Sequence, residues 1–470
     1  LSVGVRLSGV LRGGGVGGVH VAGWARRGGS ATEEGAAVRE GQAGVGRLPE
    51  WAVEALAVAG CIGGQFDLGT LSHLMKIERR RTLECLRPVL AADFILPASD
   101  EVFSATEDVG PRRVAFRFAH DRIQQAAHSL FSTDHAAEVH LAVAHFLLEH
   151  LDESEREARL FELVEHLNQS ADIRPALVGD TPQLRSLNLT AARRATRSAA
   201  FEPAGAYYEK ARALVDSDHW ETDYEQALAI HVEGARAAYF NGDRDRMNEL
   251  VEAAVAHART TLDAVEAREV KIHALIAEQR FDEAVSLALE VLAQLGIDLP
   301  RTPGPDDVGA VVGATIGALQ VTSAEEIGAL PDASDPTVVA AQRIKQGVMS
   351  AAYLTAPNLL PLLTCDIVQS TLRDGVARQS AYGFAVFGMV MNAAGLIDVS
   401  YENGQIAMAL LERSPDRSMM AKTQHIVRAH LNPFVEPITE VVEHERAVFQ
   451  LGMDTVRLHH ASWSLPTPLA

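Results

Sequence analysis

The spacing of apolar residues changes abruptly within residues 114–130, which read VAFRFAHDRIQQAAHSL. Apolar side chains first recur at every second position, which is the period of a half-buried strand. Further along, the apolar residues fall on one stripe of a helix. The sequence therefore predicts a strand that ends, and a helix that begins, at His120–Asp121. Asp121 and Gln124 lie three positions apart, and this spacing predicts a capping box at the start of the helix.

The region around this junction has the pattern of three helices followed by a two-stranded hairpin. The predicted elements are a helix from Pro49, a short helix led by Phe66-Asp67-Leu68, a helix from Glu78 to Ala91, a strand at Phe94–Pro97, a polar loop from Asp100 to Arg113 and the return strand at Val114–Phe118. This layout predicts a small winged-helix domain over residues 48–131. Two amphipathic helices are expected to connect it to the rest of the chain over residues 132–180.

From Leu184 onward the chain repeats one pattern of helix, tight turn and helix about every 40 residues. The predicted turns are Phe201-Glu202-Pro203, Asn241-Gly242-Asp243, Arg280-Phe281-Asp282, Ala356-Pro357-Asn358, Gly395-Leu396-Ile397 and Leu431-Asn432-Pro433. Helical hairpins at a fixed period indicate an α-solenoid of tetratricopeptide-like units. We assign such repeats to residues 184–299 and 336–460. Residues 300–335 between them are predicted to be a Pro/Gly-rich insert followed by a degenerate helix. The predicted fold class is mainly α.

One apolar stretch, Ala381 to Ile397, raises the question of a membrane span because it carries no charge. It is shorter than the roughly 20 apolar residues that a bilayer requires. It also contains Asn392 and lacks flanking basic and aromatic anchors. We expect a buried helix here and no membrane span.

The formal net charge of −20 argues against nucleic acid as a partner, because phosphate contacts require clustered Lys and Arg side chains. Ala supplies much of the apolar content, which suits closely packed helices better than a β-sandwich. Arg79, Arg80 and Arg81 form a basic cluster that we interpret as a solvated helix face.

The cysteines and histidines predict neither a disulfide framework nor a metal site. Cys61, Cys85 and Cys365 are far apart in sequence, which fits a reducing, cytoplasmic location. His140, His145 and His150 are spaced five residues apart, and each such step rotates by about 140° on a helix. Their rings therefore cannot converge, and we expect surface or boundary histidines.

The first 46 residues are rich in Gly and are predicted to be a disordered segment. Gly13, Gly15 and Gly18 form a GxGxxG pattern, but no helix and second strand follow it as a dinucleotide site requires. The start without Met and the abrupt end lead us to expect a piece of a larger protein.

No catalytic motif is present in the sequence. It lacks GxxxxGK[ST], HExxH, GxSxG and the HRD and DFG segments of protein kinases. We therefore expect no enzyme activity and no cofactor within this chain.

The run Phe116-Arg117-Phe118-Ala119-His120-Asp121-Arg122-Ile123-Gln124-Gln125-Ala126-Ala127 resembles a known family. It is similar to the region after the ATPase module in large bacterial signalling proteins of the STAND class (signal-transduction ATPases with numerous domains). The hybrid sensor kinases of this class combine a Ser/Thr kinase domain, an AAA-type ATPase module, helical repeats, GAF and histidine-kinase domains. Supporting matches are Leu48-Pro49-Glu50, Ala59-Gly60-Cys61-Ile62-Gly63, Phe66-Asp67-Leu68, the segment 159–168, Phe201-Glu202-Pro203-Ala204 and Asp298-Leu299-Pro300.

The resemblance extends from about Leu48 to at least Leu411 and implies specific roles. His120 and Asp121 match a His-Asp motif in which the histidine reaches the β-phosphate of bound ADP, so His120 would donate to phosphate and Asp121 would cap the helix. ATP or ADP would be held by an adjoining ATPase module, which is the first implied partner. The ATPase core and the kinase segments are missing here. His128 replaces an aromatic residue of the family, a change that we expect to be harmless at a helix edge.

The leading hypothesis is a regulatory segment of a two-component signalling protein, whose winged helix reports the nucleotide state of that ATPase. Its repeats would present a surface to a protein or small-molecule signal. A second hypothesis is part of an ATP-dependent transcription regulator, which the acidic balance disfavours. A third is a plain interaction scaffold without nucleotide coupling. Catalytic activity of the parent protein, in ATPase and protein-kinase domains elsewhere, is implied by the resemblance alone.

Overall fold

The computed structural model describes residues 47–98, 114–179, 181–413 and 419–454. The chain divides into two compact units, with the boundary after Gly179. The predicted disordered segment 1–46, its GxGxxG pattern and the predicted loop 100–113 lie outside the described residues.

The first unit combines helices with a small antiparallel sheet. Its elements are, in chain order, α1 (Glu50–Ile62), β1 (Gln65–Asp67), α2 (Leu68–Met75), α3 (Arg79–Ala91), β2 (Ile95–Pro97), β3 (Ala115–Phe118), α4 (Asp121–His128), α5 (Thr133–His150), α6 (Glu153–Ala158), α7 (Leu160–Ile173) and α8 (Pro175–Val178). The strands pair in the order β1-β3-β2. In the central strand β3, Phe116 pairs with Phe66 of β1, and Phe118 pairs with Ile95 of β2.

The strand β1 corrects a prediction from the sequence. Phe66 does not lead a helix, because Gln65–Asp67 joins the sheet and α2 begins at Leu68. A strand of three residues is too short to show a period. Phe66 is buried and stacks on Phe116, with ring centroids 5.7 Å apart. The sheet therefore has three strands among the described residues, where the sequence predicts two.

Helices α1 and α4 pack at very short range because Gly60 of α1 has no side chain. A Cβ atom at this position would lie 2.7 Å from the backbone nitrogen of His128 and 2.9 Å from the Cβ of Ala127. Ala127 is fully buried in this contact. The next residue of α1, Cys61, is consequently placed beside the end of α4. Helix α5 packs on α1, α2 and α7, so residues after 131 belong to the same unit.

The second unit consists of helices that pack mostly on their neighbours in sequence. They are α9 (Thr181–Arg197), α10 (Phe201–Ala213), α11 (His219–Thr222), α12 (Tyr224–Phe240), α13 (Arg244–His257), α14 (Thr261–Ala277), α15 (Phe281–Gln294), α16 (Pro305–Gln320), α17 (Ala324–Ala329), α18 (Pro336–Thr355), α19 (Leu359–Asp374), α20 (Ser380–Ala393), α21 (Ile397–Arg413), α22 (Met420–His425) and α23 (Ile438–Asp454). A π-helical turn at Ile426–Leu431 and a 3-10 turn at Asn432–Phe434 precede α23.

Helical hairpins occur at five of the six predicted turns, and the sixth, Leu431-Asn432-Pro433, lies within the π-helical and 3-10 turns before α23. The hairpins are α9–α10, α12–α13, α14–α15, α18–α19 and α20–α21. The prediction of a mainly α protein is confirmed. Within residues 300–335, α16 and α17 are helical. Helix α16 packs on α19, where Gln369 donates from Nε2 to Thr315 Oγ1 at 2.7 Å.

The apolar stretch after Ala381 forms the buried helix α20, as predicted. Phe384 and Phe387 of this helix are fully buried among neighbouring helices. In the described ranges of the chain, none of the helices combines the length and the hydropathy needed to span a bilayer.

Candidate functional site

The predicted strand–helix corner lies on the surface of the first unit. Strand β3 ends at Phe118, and His120 immediately precedes the first residue of α4, Asp121. His120 and Asp121 are exposed, whereas Phe116 and Phe118 of the strand are buried. Two buried phenylalanines therefore anchor the strand that presents these polar side chains to the outside.

The predicted capping box does not form at this corner. His120, rather than Asp121, is the N-cap residue, and its side chain makes no capping hydrogen bond among the described residues. Gln124 instead donates from Nε2 to the carbonyl oxygen of Gly60 at 3.3 Å. The prediction is wrong because the close contact of α1 with α4 offers Gln124 a partner outside its own helix. Asp121 still lies in the first turn, where a carboxylate interacts favourably with the helix dipole.

Three imidazole rings form a continuous row at the other end of α4. Nε2 of His128, the last residue of α4, lies 3.1 Å from Nε2 of His140 in α5. Nδ1 of His140 lies 2.9 Å from Nδ1 of His166 in α7. His140 and His166 are only 2% and 5% exposed. We call these three residues the histidine row.

One assignment of the ring protons satisfies both contacts of the histidine row. In this assignment the Nδ1–H of His140 donates to Nδ1 of His166. The Nε2 lone pair of His140 then accepts from His128. Burial lowers the pKa of His140 and of His166, because the charged imidazolium is poorly solvated there. The buried rings are therefore neutral at neutral pH.

A buried thiol lies beside the histidine row. The Sγ of Cys61 lies within 4.8 Å of a ring nitrogen of His128 and of His140. Cys61 is 2% exposed, and burial raises the pKa of its thiol to about 12. A cavity of about 540 Å³ opens next to these side chains and is also lined by Glu162 and Glu165.

Arg185 and Lys345 of the second unit are buried cationic side chains, and each donates to a carboxylate of the same unit. Arg185, which is 3% exposed, donates from Nη2 to Asp223 at 2.9 Å and joins α9 to the segment before α12. Lys345 of α18 is 1% exposed and donates to Asp366 of α19. Each of these contacts links a helix to another part of the second unit, and we assign them to stability.

Comparison with known proteins shows similarity to a signalling protein. No protein-family model matches the chain. The chain is 24% identical over 442 residues to hybrid signal transduction histidine kinase G from Dictyostelium discoideum. The matched region covers 78% of this chain and only 13% of that kinase. This chain is thus similar to one region of a much longer signal-transduction protein.

A comparison of folds points to a solved structure with low overall agreement. It is the crystal structure of a signal transduction ATPase with numerous domains from Pyrococcus horikoshii, which carries a tetratricopeptide repeat sensor. The match covers 93% of this chain and 68% of that chain, at 10% identity and a TM-score of 0.28. Such a score does not establish a common fold.

The histidine row corrects the prediction for the histidines of α5. His145 and His150 are exposed, as expected, but His140 is buried. The spacing argument compared residues of one helix only, whereas the partners of His140 come from two other helices. His128 at the end of α4 contacts His140 of a neighbouring helix. A histidine at position 128, where the family has an aromatic residue, was the one feature of the sequence that pointed to the histidine row.

Proposed function

We propose that this chain is a regulatory and interaction segment of a larger signal-transduction protein. The observation that carries the proposal is the match of most of this chain to a small region of a hybrid signal transduction histidine kinase. A region that lacks catalytic motifs within a signalling protein suits regulation or docking better than chemistry. The repeated hairpins support this role, because arrays of helical hairpins present extended binding surfaces.

Within this proposal, the first unit through α4 is a winged helix that contacts an adjoining ATPase module. Two features support this assignment. The elements follow the order helix, strand, helix, helix, strand, strand, and the strands form a three-stranded antiparallel sheet. His120 is the residue that would donate a ring N–H to the β-phosphate of bound ADP. Its exposure on an anchored corner and its freedom from a capping role support this assignment. Asp121 would then support the start of α4 rather than touch the nucleotide.

The second unit would bind the signal, either a protein or a small molecule. A signal can change the state of the ATPase only if it binds more tightly to one arrangement of the parent protein than to another. The proposed function therefore requires this chain to distinguish the ADP-bound from the ATP-bound ATPase module.

The first test is a titration of the purified chain with its ATPase module loaded with ADP or with a non-hydrolysable ATP analogue. We expect affinities that differ by about 5- to 150-fold, the usual range of coupling between sites. Equal affinities in the two nucleotide states would favour the plain scaffold.

Replacing His120 with Ala should reduce this difference without affecting the fold. The side chain is exposed and does not cap α4, so the free energy of unfolding should change by less than about 0.5 kcal/mol. His145→Ala is the matched control, because His145 is an exposed histidine of the same unit away from the corner. If both variants keep the full difference between nucleotide states, His120 has no sensing role.

A further inference from the structure

One thiol and two imidazoles converge where α1, α4 and α5 meet. Cys61, His128 and His140 come from these three helices, and their ligand atoms lie within 4.8 Å of one another. We propose that these three side chains bind a Zn²⁺ ion. This site is independent of any nucleotide role of the corner at His120.

The distances between the ligand atoms are close to those of a tetrahedral zinc site. Zn–N bonds of about 2.05 Å and a Zn–S bond of about 2.3 Å place two nitrogens about 3.3 Å apart and a nitrogen and a sulfur about 3.6 Å apart. The two Nε2 atoms of His128 and His140 are 3.1 Å apart. The Sγ of Cys61 lies within 4.8 Å of both rings, so a small shift of this side chain completes the geometry.

The rest of the histidine row supplies the outer support that metal-binding histidines require. A zinc-bound imidazole usually donates its other N–H to a fixed acceptor, which sets the orientation of the ring. With Nε2 of His140 on the metal, its Nδ1–H donates to Nδ1 of His166 at 2.9 Å. His166 is itself only 5% exposed, so the surrounding packing holds its ring in place.

Metal binding would change the protonation of two ligands. Cys61 would bind as a thiolate and release its proton to solvent. His128 would carry its remaining proton on Nδ1, so that Nε2 is available to the metal. Zinc suits this ligand set because it accepts thiolate and neutral imidazole together.

Three protein ligands leave one tetrahedral position, and all three ligands line the adjacent cavity. Glu162, Glu165 and Asp172 line the same cavity, and Glu162 is paired with a cation, Arg159. The three carboxylates give the cavity walls a negative charge that favours entry of a cation. Sites with three protein ligands and a fourth position open to water or a small ligand are typical of zinc that takes part in binding or reaction. The position would accept water or an anionic or thiol group of a small molecule.

The test uses the full chain, stripped of metal with a chelator and then titrated with Co²⁺ as a spectroscopic substitute for Zn²⁺. We expect one Co²⁺ per chain, the strong visible bands of tetrahedral cobalt and a thiolate-to-cobalt charge-transfer band. Zn²⁺ added afterwards should displace the cobalt and remove these bands. Absence of the tetrahedral and charge-transfer bands from the unaltered chain would refute the site.

Two pairs of variants locate the metal. Cys61→Ser keeps the size of the side chain and should abolish the charge-transfer band, while Cys85→Ser, which alters another buried thiol of the first unit, should not. His128→Gln should weaken binding by more than about 100-fold, since even outer residues of metal sites contribute about 10- to 100-fold. His145→Gln, on the exposed side of α5, should have no effect. Equal cobalt binding by Cys61→Ser and Cys85→Ser, with both folded by circular dichroism, would contradict the proposal.

Discussion

Replacing Asp366 with Ala is expected to destabilise the second unit by about 3 kcal/mol. The reason is that Lys345, which is 1% exposed, donates to Asp366 across the α18–α19 hairpin. Burial lowers the pKa of Lys345, and the carboxylate of Asp366 opposes this shift. Removing Asp366 leaves a buried ammonium without its counter-charge. The expected loss is at the lower end of the range for broken buried pairs, because the Asp366 side chain is 31% exposed.

The companion variant, Lys345→Met, should change the free energy of unfolding by less than about 1 kcal/mol. Methionine fills a similar volume, and exchange of a buried ion pair for apolar packing is often neutral or stabilising. In the double variant, most of the loss caused by Asp366→Ala should disappear, since no buried charge remains. Hydrogen exchange of the amides in α18 and α19 measures this unit separately from the first. If Lys345→Met lowered the free energy of unfolding as much as Asp366→Ala, the result would contradict this account and show that the Lys345–Asp366 ion pair itself stabilises the unit.

Replacing Gly60 with Ala should destabilise the first unit by about 2 kcal/mol. Alanine is the better helix former by about 1 kcal/mol, so helix propensity alone predicts a gain in stability. The new Cβ would lie 2.7 Å from the backbone nitrogen of His128, and backbone cannot move aside as a flexible side chain can. The helices α1 and α4 must therefore separate, and Cys61 would move away from His128. We expect the unfolding free energy to fall and the affinity for Co²⁺ to fall with it.

Gly313→Ala is the matched control for this variant. Gly313 also lies within a helix, α16, but an alanine methyl group there would meet no described atom within 4 Å other than the adjacent residues and backbone of its own helix. This variant should stabilise the chain by up to about 1 kcal/mol. Amide hydrogen exchange in α1 and in α16 measures the change in stability caused by each of the two variants. A stabilising Gly60→Ala would show that α1 and α4 are not in close contact.

The sequence was sufficient to predict elements with long, regular patterns. The buried helix α20 and the hairpin turns follow from apolar period and turn residues, which are local properties. The strand Gln65–Asp67 could not be predicted in this way, because three residues carry no period and its stability comes from pairing with Ala115–Arg117.

The sites differ in how far the sequence predicts them. The corner at His120–Asp121 depends only on residues that are adjacent in sequence, so the change in the spacing of apolar residues was enough to locate it. The convergence of Cys61, His128 and His140 depends on three helices and on the missing side chain of Gly60. Spacing along one helix says nothing about such a contact, which is why the sequence predicted no metal site. Gln124 illustrates the same limit, since its partner is the carbonyl oxygen of Gly60 rather than its own helix.

The rate of ADP release tests the account of this chain as a regulatory segment most directly. It should be measured on a protein in which the chain is joined to its ATPase module, for the unaltered protein, His120→Ala and His145→Ala. Loss of one hydrogen bond to a charged phosphate contributes about 1.5–3 kcal/mol, so His120→Ala should accelerate release by about 10- to 100-fold. His145→Ala should release ADP at the unaltered rate. Equal rates for all three proteins would contradict the proposed coupling of this chain to the nucleotide.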